Sequence, residues 1–247
     1  MSGGAECRAA LVTGGTQGIG LAIAAALVGA GWRVAIHGLD DPAACDAAAA
    51  RLPGVPILAA DLADPGAAIG LLNQTRAVLG DPDLLVHCAS AEMRRPLVAF
   101  DRVEAERQMA INLWAGVELM TGVLPAMAAR GWGRIIAIGS VQQVKPHPDM
   151  LAYAASKAAL ANAVRNIARQ VAGDGITANI IAPGATLTPR TASVLADRPY
   201  ADRVLAAIPA GRFGTPDDMT GAALMLAGDA GAYINGQTIF VDGLMSF

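Results

Sequence analysis

A chain of 247 residues that is 54% hydrophobic and only 16% charged can enclose one sizeable α/β core. Its formal net charge of −3 offers no basic surface for nucleic acid, and three scattered cysteines suggest neither a disulfide framework nor a zinc site. Residues 1–7 lack a charged-then-apolar leader and the longest apolar run, 19–32, is too short to span a membrane, so a cytoplasmic protein with no membrane partner is expected.

Apolar strand-like runs are predicted at 9–13, 33–37, 55–59, 84–88, 134–139, 177–182 and 238–241. Helices are predicted between them at 19–30, 42–51, 65–79, 103–130, 151–171 and 216–227. Near-continuous apolar strands are those buried on both faces. The alternation therefore predicts a single α/β domain over 1–247, a doubly wound parallel seven-stranded sheet with helices on both faces. Right-handed crossovers then place ligands at the carboxyl ends of the strands. Only 184–214 falls outside the alternation, and a connection of that length is expected to act as a substrate lid, around 186–208. Asp64 is expected to cap the third helix.

The first strand ends in Thr13-Gly14-Gly15-Thr16-Gln17-Gly18-Ile19-Gly20 and runs into a helix, the setting of a dinucleotide site. Gly14 permits the tight turn, Gly18 lets the backbone approach a pyrophosphate, and Gly20 allows close packing of helix on strand. Free amides and the positive dipole end at the helix start favour phosphates. Farther along, Tyr153 and Lys157 are spaced i, i+4 on one helix face. An ammonium beside the phenol favours phenolate and lowers a pKa that is ordinarily about 10, which makes tyrosine a usable acid–base group near neutrality.

Together with Asp61-Leu62, Asn112, Ser140 and Pro183-Gly184-x-x-x-Thr188, these motifs resemble the short-chain dehydrogenase/reductases in their compact single-domain branch, nearly end to end. The stretches 212–218 and 236–243 resemble that branch as well. The resemblance implies a Rossmann-type fold and an oxidoreductase that interconverts a secondary alcohol and a ketone with a nicotinamide cofactor. It implies that Tyr153 passes the proton, Lys157 lowers its pKa and holds the nicotinamide ribose, Ser140 orients the substrate oxygen, and Asn112 holds a water that links the lysine to solvent. Cofactor contacts are implied for Gly14, Thr16, Gln17, Gly18, Ile19, Gly20, Leu39, Asp61, Leu62, Ala89, Ser90, Tyr153, Lys157, Pro183, Gly184 and Thr188. Such relatives are commonly tetramers. A homotetramer is expected, and the apolar content of 103–130 and 151–171 agrees with it.

Some positions depart from the family pattern. Where relatives carry Asn-Asn-Ala-Gly after the fourth strand, this chain has His87-Cys88-Ala89-Ser90, and Asp242-Gly243-Leu244 lacks a second glycine. Cys88 reads as a small buried hydrophobe and His87 as a structural strand residue. Asp40 and Asp41 follow the second strand, no lysine or arginine lies between Arg33 and Arg51, and Gln17 is uncharged. Acids there disfavour a 2′-phosphate, so NAD is expected over NADP. The segment 141–150 is polar. Gln142, His147 and Met150, with Glu92, Met93 and Arg94 after the fourth strand, are expected to face a small polar substrate such as a sugar, polyol or hydroxy acid. Other functions stay open: a catalytically silent dinucleotide-binding regulator, a 3-oxoacyl thioester reductase, and an epimerase or dehydratase like the extended relatives. No metal site is expected.

Overall fold

The computed structural model describes residues 7–39 and 41–247; residues 1–6 and Asp40 lie outside the described residues. Seven parallel strands form one sheet in the order β3-β2-β1-β4-β5-β6-β7. They are β1 (Ala9–Thr13), β2 (Arg33–Gly38), β3 (Ile57–Ala59), β4 (Leu84–His87), β5 (Gly133–Ile138), β6 (Ile176–Pro183) and β7 (Thr238–Val241). The helices are α1 (Gly18–Gly29), α2 (Pro42–Arg51), α3 (Ala67–Leu79), α4 (Arg102–Met109), α5 (Ala115–Arg130), α6 (Leu151–Val171), α7 (Pro189–Leu195), α8 (Arg198–Ala206) and α9 (Thr220–Ala227).

The two-residue period of a strand divides the core between the sheet faces. Leu11, Leu85, Ile135, Ala178 and Ile180 point to one side, where α3, α5 and α6 cover them. Ala10, Val12, Val86, Ile136 and Ile181 point to the other, under α1 and α9. Each fully buried leucine or isoleucine contributes about 1.5–3 kcal/mol, so the two cores together hold the layers on the sheet. The order reverses at β1, which has β2 on one side and β4 on the other. The register sets Thr13 opposite both His37 and His87. Strand ends therefore part at that point, and the crevice they leave is where the site lies.

Several local expectations are corrected. The third strand is shorter than predicted because pairing with β2 involves only Ile57, Leu58 and Ala59. The third helix begins at Ala67, since Gly66 takes a left-handed conformation at φ 79° and makes no side-chain cap. Asp64 contributes only its carbonyl there. The helix expected over 103–130 contains a π turn at Ala110–Trp114 around Asn112. The segment 184–214 is not an extended loop: Thr188 caps α7 and Pro199 opens the first turn of α8. The last predicted helix starts as a 3-10 turn at Pro216–Met219.

Leu244 stands where the family pattern has its second glycine, and it is the only non-glycine with positive φ among the described residues, at 72°. A left-handed leucine costs about 1–2 kcal/mol, partly offset in a glycine variant by the larger entropy of its unfolded chain. Leu244→Gly should therefore stabilise the protein by about 0.5–1 kcal/mol and raise Tm by roughly 1–4 °C in a thermal melt. An unchanged or lower Tm would mean that Leu244 packing outweighs the backbone strain.

Candidate active site

The turn after β1 is built for close approach. Gly14 and Gly18 adopt φ of 62° and 55°. A Cβ on Gly14 would sit 2.9 Å from the Ala89 backbone, and one on Gly20 would lie 2.1 Å from the Gly14 carbonyl oxygen. No side chain caps α1, so its first amides face the crevice. Bare backbone at the mouth of a parallel sheet, with free helix amides behind it, fits the phosphates of a dinucleotide.

Hydroxyl and imidazole groups lock this turn to its neighbours. Thr13 Oγ1 accepts from the Cys88 and Ala89 amides, each at 3.1 Å, which leaves its proton for His87 Nδ1 at 3.2 Å. Thr13 thus ties the segment leaving β4, where relatives carry the asparagines, to the end of β1. His87 is completely buried, and burial with the nearby Lys157 charge pulls its pKa down to about 3, so the ring is neutral. His37 lies between Gly14 N and the Ala60 carbonyl, at 3.4 and 3.1 Å, and burial keeps it neutral too. Asn112 grips Ala91 from both sides: Oδ1 accepts from Ala91 N at 2.7 Å, and Nδ2 donates to Ala91 O at 2.9 Å and to Ser156 Oγ at 3.0 Å. The Asn112 amide is thereby held by Ala91 and Ser156.

The crevice has a volume of about 580 Å³, within the usual range for small-ligand sites. It gathers every sequence-predicted cofactor residue and every predicted substrate residue except Met93. Gly14, Thr16, Gln17, Gly18, Ile19, Gly20, Leu39, Asp61 and Leu62 line one end. Ala89, Ser90, Ser140, Tyr153, Lys157, Pro183, Gly184 and Thr188 lie in the middle. Gln142, His147, Met150 and Arg94 line the far end. Met93 is absent from this wall and 41% exposed.

Lys157, 2% exposed, donates from Nζ to the Ile138 carbonyl at 2.8 Å, and its ammonium is 5.7 Å from the centre of the Tyr153 ring. Burial, then the charge of Arg190, pulls the Lys157 pKa down to about 8. Burial raises Tyr153 above its ordinary value. Arg190 and the Ser140 and Ser90 hydroxyls favour the phenolate, whereas Glu92 disfavours it. Arg190, from α7, is thus a second cation near the phenol beside the Lys157 ammonium. Ser140 Oγ accepts from Gln142 N at 3.2 Å, and Ser90 Oγ is buried with no hydrogen-bond partner.

At the Leu39 end, Asp61 Oδ1 accepts from Ala63 N at 2.9 Å and Oδ2 pairs with Arg107 at 2.8 Å. The amide and the guanidinium hold that carboxyl below its usual range. Asp41 caps α2 through Ala44 N and also lines the crevice. At the other end, Arg94 bonds Glu92 at 3.0 Å and the Tyr200 hydroxyl at 2.8 Å. The Tyr200 ring meets His147 edge-on at 6.3 Å between centroids. Sequence reasoning missed His37, Arg107, Arg190 and Tyr200. Thr188 was expected only as a cofactor contact, and nothing in the local pattern says which side chains of 184–214 turn inward.

Because Lys157 binds its proton less tightly when folded (about 8) than when unfolded (10.5), the unfolded chain holds more protons between these values. Stability of the protein without added cofactor should therefore rise across that window, by about 1 kcal/mol per pH unit from this group. Denaturant titrations of wild type and Lys157→Met over the window test this. The variant should lose that slope, and parallel profiles would exclude the depressed lysine.

The sequence profile described as "Enoyl-(Acyl carrier protein) reductase" matches residues 14–246. The chain is 35% identical over 243 residues to 3-oxoacyl-[acyl-carrier-protein] reductase FabG of Escherichia coli, covering 97% of this chain and 98% of the relative. It is 31% identical over 251 residues to D-beta-hydroxybutyrate dehydrogenase of Rhizobium meliloti, covering 96% and 97%. Among solved structures, a 3-oxoacyl (acyl-carrier-protein) reductase from Agrobacterium tumefaciens with NADP bound superposes with a TM-score of 0.88 at 39% identity, over 96% of this chain and 93% of that one. With the sheet order, the glycine turn and the Ser140–Tyr153–Lys157 cluster already in place, these matches make the chain a member of the short-chain dehydrogenase/reductase family, an oxidoreductase that interconverts secondary alcohols and ketones with a nicotinamide cofactor.

Proposed function

We propose that the reaction is carried by Tyr153, Ser140 and Lys157, on a small polar hydroxy or keto substrate, with NAD preferred. The observation that carries this reading is the buried phenol of Tyr153, with the Ser140 and Ser90 hydroxyls beside it and the Lys157 ammonium one helical turn along. A bound nicotinamide supplies or accepts the hydride. Tyr153 Oη gives its proton to the substrate oxygen on reduction and takes it back on oxidation. Ser140 Oγ, at the end of β5, holds that oxygen and shares its developing charge. Lys157, pinned to Ile138, offers its remaining protons to the cofactor ribose. Asn112 is a positioning residue: it ties Ala91 to α6 through Ser156, whose hydroxyl donates to the Tyr153 carbonyl at 2.7 Å. The cofactor cradle comprises the glycine turn, Leu39, Asp61, Leu62, Ala89, Ser90, Pro183, Gly184 and Thr188.

The chain is read as one catalytic domain with its lid at 186–208, where α7 and α8 bring Thr188, Arg190 and Tyr200 to the crevice. Closure of such a lid excludes water from the reacting atoms. Substrate polarity is supported by Glu92, Arg94, Gln142, His147 and Arg190 in the wall. The FabG relative favours a second reading, reduction of a 3-oxoacyl thioester. The charged wall is a poor fit for a long acyl chain.

NAD is supported by Asp41 in the crevice wall and by the pairing of Arg107 with Asp61, which leaves no free lysine or arginine among the described lining residues at that end. NADP bound to the Agrobacterium relative belongs to that protein. A cytoplasmic homotetramer is supported by three free cysteines among the described residues and by an apolar patch of Leu97, Val98, Phe100, Val103 and Trp114 that is exposed around the start of α4 and the π turn. Light scattering should give four times the chain mass, and a monomer would remove the tetramer.

A steady-state screen of secondary alcohols, ketones and a 3-oxoacyl thioester, followed by reduced-cofactor absorbance, tests the chemistry. Activity should appear on small polar compounds, with kcat/KM for NAD exceeding that for NADP by at least about tenfold, as a repelled 2′-phosphate predicts. Tyr153→Phe should lower kcat by about 10²–10⁴ with cofactor Kd nearly unchanged. Full activity in that variant removes the assignment, and equal use of NADP removes the cofactor preference.

A further inference from the structure

Three arginines line the crevice, and two of them are neutralised: Arg94 by Glu92 and Arg107 by Asp61. Arg190, in the first turn of α7, has no carboxylate at ion-pair distance among the described residues. Its Nη2 donates instead to the Ser90 carbonyl across the crevice. Ser90 thus lies between two groups of opposite use. Its backbone oxygen meets the free guanidinium, and its buried Oγ, which makes no hydrogen bond, faces the Tyr153 phenol. Guanidinium and phenol are separated by the span of one serine residue. A ligand with its reacting oxygen at Tyr153 and Ser140 would present a carboxylate to Arg190 when carbinol and carboxylate are one or two carbons apart.

We propose that Arg190 is a specificity-determining residue that binds the carboxylate of a short 2- or 3-hydroxy acid, or the matching keto acid, with the Ser90 hydroxyl as its neighbouring donor. This rests on the alcohol–ketone reading of the site and narrows its substrate to an anion. Planar guanidinium matches carboxylate with two parallel N–H bonds, which a carbonyl such as that of Ser90 cannot provide. The Ser90 carbonyl is therefore a weaker partner that a carboxylate displaces. Because Arg190 rides on α7, the same contact draws the lid towards the strand ends. Arg94 then serves as a brace: held by Glu92, it joins the loop after β4 to Tyr200 on α8 and leaves the anion to Arg190.

The test uses the complex of the whole protein with NADH, in which hydroxy acids bind without hydride transfer. Calorimetric titration compares 3-hydroxybutyrate and 2-hydroxybutyrate with their primary amides, which have nearly the same shape and no charge. At least one acid should bind wild type about tenfold or more tighter than its amide. Arg190→Gln should weaken that acid by about 10- to 100-fold, the range for a charged hydrogen bond, and bring the acid-to-amide ratio near one. Arg190→Lys should recover part of the preference. Equal binding of acids and amides by wild type, or no acid binding, overturns the proposal, and neither result depends on how a variant folds. A loss of about tenfold or more in NADH affinity for Arg190→Gln also overturns it, by assigning the residue to the cofactor phosphates. Wild-type turnover of neutral secondary alcohols reports separately on the underlying reaction. It can succeed while carboxylate recognition fails.

Discussion

A lysine ammonium held inside the protein by one carbonyl is the constraint from which the crevice follows. Removing such a charge from water costs several kcal/mol unless it finds hydrogen-bond partners. Lys157 finds the Ile138 oxygen at the end of β5. That bond fixes the start of α6 against the mouth of the sheet. Tyr153, one turn earlier, is then set beside Ser140, which leaves the same strand a few residues later. Burial has opposite effects on the two ionisable groups, raising the phenol and lowering the ammonium, because each resists its charged form. The Arg190 charge, on α7, then acts on both groups, favouring the phenolate and disfavouring the ammonium.

The rest of the floor holds its shape through neutral polar groups. Thr13 accepts two amides from the chain leaving β4 and donates to His87, so one hydroxyl ties three residues to β1. Asn112 needs both ends of its amide to reach Ala91, and the π turn at Ala110–Trp114 widens the helix where that amide projects. Replacement of the family's asparagine pair by His87-Cys88 is tolerated for this reason. The contacts that matter at the strand end are made by the partners of that segment. Gly116 makes room for the larger ring, since a Cβ there would lie 2.7 Å from the imidazole.

Charge is distributed unevenly along the crevice. Its Leu39 end contains Asp61 and Arg107 as a closed pair, and Asp41 without a basic partner among the described residues. Its other end has Glu92 and Arg94 paired and Arg190 free. A chain of net charge −3 thus keeps a positive group at one end of the crevice and a negative one at the other. The unpaired positive group at that end comes from α7, through Arg190.

Periodicity and motif spacing by themselves determined the parallel α/β class, six helical regions near their observed places, the dinucleotide turn and the Tyr153–Lys157 pair, to which the family resemblance added Ser140. These are properties of neighbours within a few residues or of a strong two- or 3.6-residue period, and both are written into the chain. Boundaries such as Ala67 after left-handed Gly66, and the short β3, were settled by local backbone geometry and by pairing with another strand. The inward turn of Arg190 and Tyr200, the clasp of Asn112 on Ala91 and the neutral histidines His37 and His87 came only from tertiary structure. Each depends on a partner 20 to more than 100 residues away, as in the contacts of Arg94 with Tyr200 and of Arg190 with Ser90. Charge at a site is a sum over groups brought together by folding. The part that Arg190 and Tyr200 play in it could not be read from a segment whose own sequence shows only its length and its prolines.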